Sequence, residues 1–297
     1  MNISNDEFWI VTQICDSGFP GGALAHSQGL ESALSHGLIS INDETENELI
    51  KFVNLSIIQA NNQLIPILLN AWKVSYNCND DDDNDWFNNI KIIDEKCQLV
   101  LNNNVSIRSS VNQGKCFLRA SKEAFFNNTN TNDNNTKNHE KIQQLSKIIQ
   151  MKTDDHDNNK IHGHYPTIFG LVCGLLNISE LITKKIFFRC FVRDLFSSAY
   201  RLNIIGPLEG ANLQAIVCKN LERNLLMNDN YSNDNINDNN NDNNNEYISK
   251  KRKANDIDDN IINNHNHNIT QVPVTTVPIL EILQGRHDLL YCRLFNS

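Results

Sequence analysis

Few side chains in this 297-residue chain are spaced for chemistry, and the histidines come first. His162-Gly163-His164 sets two imidazoles one residue apart, with His156 nearby. Such a pair can face one divalent ion, and imidazole suits nickel among others. A closed site needs more donors than the sequence places beside it, so no firm metal site follows. The other reading is a loop histidine followed by a packing histidine ahead of Tyr165-Pro166. His265 and His267 sit in Asn-rich sequence and carry less weight. Lys250-Lys251-Arg252-Lys253 is a compact basic run of the kind that meets polyanions or import machinery, although a charge run inside low complexity is ordinarily solvated. The sequence contains no phosphate-binding P-loop, dinucleotide turn, nucleophile elbow or H-E-x-x-H helix. The chain reads as a protein that is not an enzyme and holds no firmly bound cofactor.

The most organised stretch runs from Asp16 to Glu31: Asp-Ser-Gly-Phe-Pro-Gly-Gly-Ala-Leu-Ala-His-Ser-Gln-Gly-Leu-Glu. Pro20, Gly22 and Gly29 describe a tight turn that enters a helix, with Ser27 placed to cap it. His26, Ser27 and Glu31 are the polar groups that such a turn must satisfy.

The elements around this turn read as helices. Leu30, Ala33 and Leu34 share one face, and Gly37 is placed to end that helix. Asp43 and Glu46 have the spacing of a cap and its reciprocal partner before Leu49, Phe52 and Val53. Pro66 suits the first turn of a helix carrying Leu68, Leu69 and Trp72. Ile168 to Leu176 is apolar throughout. Leu181 to Leu202 and Leu208 to Leu226 carry apolar residues at helical spacing. Two short helical pieces, Pro278 to Leu283 and His287 to Leu294, close the chain. An all-α fold, a single helical bundle, is the architecture this predicts.

Four Asn- and Asp-rich segments interrupt the pattern: Asn77 to Asp85, Asn127 to Asn138, Asp154 to Asn159 and Asn228 to about Asn268. None carries enough apolar surface to offset the entropy of ordering it. The expected layout is a helical domain over residues 1–227, an insertion over 228–268 and a tail over 269–297. The net charge of −9 argues against a nucleic-acid partner. No run approaches the roughly 20 apolar residues of a membrane span, and Met1-Asn2-Ile3-Ser4 does not open a signal peptide. Eight cysteines without a C-x-x-C pair then predict buried, reduced thiols in a cytoplasmic protein.

The Asp16–Glu31 stretch resembles the hallmark P-x-G-x-F-[AS]-[HY]-S-x-G-L-E of the UreF family, with Leu24 where the family usually has Phe. His164-Tyr165-Pro166-Thr167-Ile168-Phe169-Gly170 resembles its H-x-P-x-x-F-G segment. Arg193-Asp194, Ser197 to Leu208 and Gly210 to Gln214 resemble its next block, and Pro278 to His287 the tail of plant-type members. Arg108 to Leu118 fits a weaker middle block. The blocks fall in family order across nearly the whole chain.

The resemblance implies an all-α, homodimeric urease accessory protein. Such a protein bridges the UreD/UreH-type protein on apo-urease and the UreG-type GTPase, and nickel is handled by the assembled complex. It assigns His26, Ser27, Glu31, Arg201 and Gln214 to a partner surface or nickel path. For Glu31 and Arg201 the bland alternative is an internal ion pair. Phe169, Gly170, Gly206 and Pro207, with Pro20, Gly22 and Gly29, take structural roles. Leu280, Leu283, Leu290 and Leu294 become anchors for the UreD-type partner. A second reading makes the chain a GTPase-activating protein for the UreG-type enzyme, with Arg201 or Arg193 supplied in trans.

Overall fold

Helices account for all the regular structure among the described residues, as the apolar spacing predicts. The structure, a computed structural model, describes residues 4–76, 83–127, 133–150, 160–233 and 272–296. Its helices are α1 (Asn5–Cys15), α2 (Leu30–Ser35), α3 (Thr45–Gln63), α4 (Ile65–Tyr76), α5 (Asp83–Val100) and α6 (Asn104–Ser121), then α7 (Asp133–Gln150), α8 (Tyr165–Leu175), α9 (Glu180–Arg201), α10 (Pro207–Asn233) and α11 (Pro278–Arg286). Residues 1–219 and 273–297 form one compact unit, and residues 220–272 form a second. Of the second unit, the end of α10 and Val272 are described.

At the centre, α4 crosses α8. Pro66 and Pro166 each lie in the first turn of their helix, where a missing N–H costs nothing. A Cβ on Gly170 would collide with the Leu68 carbonyl, and one on Gly174 would lie 2.7 Å from the Trp72 carbonyl oxygen. The two backbones therefore touch, and only glycine permits that approach. Trp72 Nε1 donates to the Ile178 carbonyl at 2.7 Å, which fixes the turn after α8. Phe169 stacks on Phe117 at 4.9 Å and meets Phe187 edge-on at 5.5 Å, which joins α6, α8 and α9. A second apolar cluster takes Leu30 and Ala33 of α2, Phe52 and Val53 of α3, Leu195 and Ala199 of α9, and Leu280 and Leu283 of α11.

Several local expectations shift. Gly29, at φ 86°, directly precedes α2, so Ser27 is not its cap. No side chain caps α3: the Asp43–Glu46 capping box does not form, and Thr45 Oγ1 instead accepts the Asn42 N–H at 2.8 Å. The polar tract over 127–138 is helical from Asp133, because α7 buries Ile142 and Leu145 farther on and propagates back from them. Beyond α11 the chain makes one 3-10 turn, His287–Leu289, and not a helix to Leu294. Residues 77–82, 128–132, 154–159 and 234–268 lie outside the described residues, and with them Lys250 to Lys253, His156, His265 and His267. No single described helix is long and apolar enough to cross a membrane.

Candidate functional site

The Asp16–Glu31 turn exists to carry polar side chains into the interior. It opens with the Gly18 N–H on Asp16 Oδ1 at 2.6 Å. Gly22 has φ 78°, and a Cβ there would sit 2.9 Å from the Cys116 Cβ. Exposed Pro20 leads into this tight passage. The turn then delivers His26, Ser27 and Glu31 at 3%, 0% and 5% exposure. Burying three such groups is unfavourable unless each finds partners.

Glu31 finds them in the tail. Its Oε2 accepts from His287 Nε2 at 2.8 Å and from the Phe295 N–H at 3.2 Å, and its Oε1 accepts from the Leu294 N–H. The Asn296 N–H closes the junction on the Ala25 carbonyl at 2.8 Å. Arg201, at the end of α9, lies over the Phe295 ring at 4.2 Å. Ser198 Oγ donates to the His26 carbonyl at 3.3 Å. Burial pushes the His26 ring down to about 4, with Arg108 and His287 adding to the effect. The structure thus brings together His26, Ser27, Glu31 and Arg201, and the histidine and backbone of the tail reach Glu31.

A second set of polar groups seats the tail farther back. Gln59 Oε1 accepts from the N–H groups of Thr276 and Val277 at 2.9 and 2.8 Å. Glu281 accepts from Gln59, Gln63 and Asn103 at 3.1, 2.9 and 2.9 Å. Asp288 joins Arg108 at 2.8 Å and Arg293 at 3.0 Å, and Arg108 holds its carboxyl below the ordinary range. Between tail and bundle lies a cavity of about 110 Å³ lined by Gln28, Gln113, Tyr165, Asp194, Leu280 and Gln284. Gln28 Oε1 is buried there without a protein partner. Burial raises Asp194 to about 6 even though Arg193 bonds it at 2.8 Å.

These contacts revise the tail's apolar assignments. Leu280 and Leu283, expected as anchors for another protein, are 4% and 3% exposed and belong to the chain's own core. Leu290 is half-buried. Leu294 is exposed, together with Leu289 and Tyr291, which composition did not single out. Pro207 begins α10, whereas a Cβ on Gly206 would meet nothing, so close packing does not require glycine there. Gln214, on α10, has a buried Nε2 without a hydrogen-bond partner.

The His162–His164 loop is built for structure. Asp94, 1% exposed, accepts three successive N–H groups, from His162 at 2.6 Å, Gly163 at 3.1 Å and His164 at 2.8 Å. His164 Nε2 donates to Gln98 Oε1 at 2.8 Å, and its Nδ1 lies 3.2 Å from Ser110 Oγ. Gln98 Oε1 only accepts, so Nε2 carries the proton and Nδ1 takes the serine hydroxyl. Both ring nitrogens are therefore used within the chain. No group of three or more candidate ligands that could hold a metal forms among the described residues.

Gln59, Gln63, Asn103, Glu281 and His287 were not picked out by the sequence reading. One signal was present. Ser56, Gln59 and Gln63 continue the buried face of Phe52 on α3, and polar residues in an apolar stripe call for buried partners.

Comparison with known proteins supplies what geometry cannot. The UreF family profile matches residues 45–217, more than half of the chain. Urease accessory protein F of Oryza sativa subsp. indica is 27% identical over 294 residues, covering 99% of this chain and 87% of the relative. Urease accessory protein F of Arabidopsis thaliana is 25% identical over 292 residues, 97% and 92%. An uncharacterized UreF-like urease accessory protein of Schizosaccharomyces pombe is 22% identical over 298 residues, covering each chain fully. The junction residues Glu31, His287 and Phe295 fall outside the profile match, which covers residues 45–217.

Proposed function

The chain belongs to the UreF family of urease accessory proteins, with a role in urease maturation, and we propose that within it the chain is a non-catalytic scaffold. It bridges the UreD/UreH-type protein on apo-urease and the UreG-type GTPase, acts as a homodimer in the cytoplasm, and lets the assembly carry nickel to the urease site. The supporting observation is the junction itself. A buried carboxylate, Glu31, fixes the last residues of the tail so that Leu289, Tyr291 and Leu294 stand in solvent on an ordered backbone. Apolar side chains carried on a backbone already ordered spare docking the cost of ordering that backbone, which makes them effective anchors.

Point substitutions are the suitable test, because removing the tail would also take Leu280 and Leu283 out of the core. The chain is co-expressed with its UreD-type protein, carrying Leu289→Ser, Tyr291→Ser and Leu294→Ser together, and mass is read by light scattering after size exclusion. The scaffold reading expects co-elution for the parent and loss of the complex for the folded triple variant. A parent that elutes alone beside folded partner protein would sink it.

As a GTPase-activating protein the chain would have to offer an arginine in trans. Arg193 is engaged with Asp194 and with the carbonyls of Cys15 and Asp16. Arg201 is the exposed one, and it lies over the chain's own Phe295. The scaffold reading therefore fits both arginines better.

A further inference from the structure

Gln28 stands out beside the cavity between tail and bundle. Its backbone is left-handed at φ 54°, a conformation in which a residue other than glycine is uncommon and strained. Its side chain lines the cavity, where Oε1 is buried and meets no donor from the protein. A buried acceptor left in that state is destabilising. Two further acceptors line the same space. Gln113, 7% exposed, donates through Nε2 to Ser109 Oγ at 3.1 Å, which leaves its Oε1. Asp194, 6% exposed, takes the Arg193 guanidinium on Oδ1 at 2.8 Å, which leaves its Oδ2. With its pKa raised to about 6, this carboxylate is still ionised at neutral pH. Gln59 and Gln63, also in the lining, are occupied by Glu281 and by the N–H groups of the tail.

The rest of the wall is apolar and partly flat. Phe187 and Phe191 line it with ring planes 20° apart and centres 6.3 Å apart. A ligand for this space needs N–H groups at its edge, a positive charge and a flat face. Ammonium has the charge without the face, and urea has the plane and the N–H groups without the charge. Guanidinium has all three: it donates in its own plane and stacks on aromatic rings. A void of about 150 Å³ admits benzene. The cavity of about 110 Å³ found here therefore suits a flat group of about four heavy atoms.

We propose that this cavity is a guanidinium-binding site, with Asp194 and the side-chain oxygens of Gln28 and Gln113 as its acceptors. These three residues come from the turn before α2, from α6 and from α9, and Leu280 and Gln284 of α11 complete the lining. A ligand held there joins the tail to the bundle at a point where the protein leaves an acceptor unmet. Two sources present the group: a free small guanidine, and the arginine side chain of another protein.

The test titrates the full chain with guanidinium chloride by calorimetry at neutral pH, with sodium chloride holding the ionic strength constant. A nitrogen-15-labelled sample follows the side-chain amides of Gln28 and Gln113. The expected result is one saturable site at millimolar ligand, far below denaturing concentrations, with both amide signals moving at the calorimetric midpoint. Urea should bind roughly 10-fold more weakly, and Asp194→Asn should weaken guanidinium binding by roughly the same factor, because each removes one charge from the pair. Gln28→Gly suits the left-handed backbone and should weaken binding roughly 5-fold. Methylguanidine and Nα-acetyl-arginine amide separate the sources. Binding of the first alone assigns the site to a free small cation, and equal binding of both assigns it to a partner's arginine. A cavity that takes only water gives no saturable heat, which would overturn the proposal. So would urea binding as tightly as guanidinium, amide signals that stay still, or unchanged affinity in Gln28→Gly. The parent chain and its ligands decide the matter even if Asp194→Asn misfolds.

Discussion

The α4–α8 crossing and the tail–turn junction are both buried, yet they are held by opposite means. At the crossing, Gly170 lets one backbone rest on the Leu68 carbonyl, and the surrounding contacts are apolar. At the junction, one carboxylate gathers an imidazole and two backbone N–H groups from residues more than 250 positions away in the chain. Dispersion and apolar burial are spread over many atoms, so the crossing has no single weak point except its glycine. Charge-assisted hydrogen bonds are concentrated, so the junction stands or falls with Glu31. The first arrangement suits a core. The second suits a segment that must be ordered but separable.

The largest expected effect tests the crossing. Gly170→Ala puts a Cβ into a backbone carbonyl, which no side-chain rotation relieves. We expect a loss of about 3 kcal/mol in global stability, at the upper end of overpacking penalties. Urea unfolding followed by far-UV circular dichroism would show it, and a loss below the noise would mean that the helices are not in contact there.

Glu31→Gln tests the junction. The amide keeps the shape but cannot accept from three donors as a carboxylate does. A cost of about 2 kcal/mol follows from losing charge-assisted bonds at a buried site. It should fall on the tail alone. Amide exchange at Leu294 and Phe295 should speed up roughly 30-fold, the rate equivalent of that energy, while α8 amides keep their protection. Equal acceleration in both places would erase the distinction between the two regions.

Acid separates the buried titrating groups near the junction. His26 has its folded pKa at about 4, below its ordinary 6.5, so acidification loads protons onto the unfolded chain first and stability falls. Asp194 has its folded pKa at about 6, above its ordinary 3.8, so the folded chain takes the proton first and stability rises. From pH 7 to pH 5 the two terms are about 2 kcal/mol lost and about 1 kcal/mol gained, so they offset in part and the chain is left less stable at pH 5. His26→Gln should therefore make the chain gain stability relative to the parent over that interval, and Asp194→Asn should make it lose more. The urea midpoints of both variants at the two pH values give the answer, and slopes identical to the parent would show that neither group is buried as described.

How much of this was legible follows from the same contrast. The two helices of the crossing were readable, because Pro66, Pro166 and the apolar run through Phe169 and Gly170 are local signals with a helical period, but not that these two helices would meet. The disposition of the tail was only half readable. Leu280 and Leu283 look like unpartnered anchors until the chain's own apolar cluster is known to take them in. Glu31 could be recognised as needing a partner, but not that His287 and two backbone amides would supply it, since no spacing rule links such distant residues. Around the H-x-H pair the packing role expected for His164 was readable, but not that Asp94 organises the loop, since no motif near the histidines announces it.

The smallest effect probes the edge of the junction. Arg201 lies 4.2 Å from the Phe295 ring centre and is itself exposed, so its stacking is worth about 0.5–1 kcal/mol. Arg201→Ala should lower global stability by no more than that. It should also raise exchange at Phe295 by a few-fold, well short of the Glu31→Gln effect, because the carboxylate still holds the backbone. Arg201→Lys keeps the charge but not the flat guanidinium that covers the ring, and should fall between parent and alanine. If Arg201→Ala releases the tail as fully as Glu31→Gln does, then the aromatic stack is the fastening and the carboxylate follows it. The junction would then be held by the same dispersed contacts as the crossing, and the physical difference between the two regions would vanish.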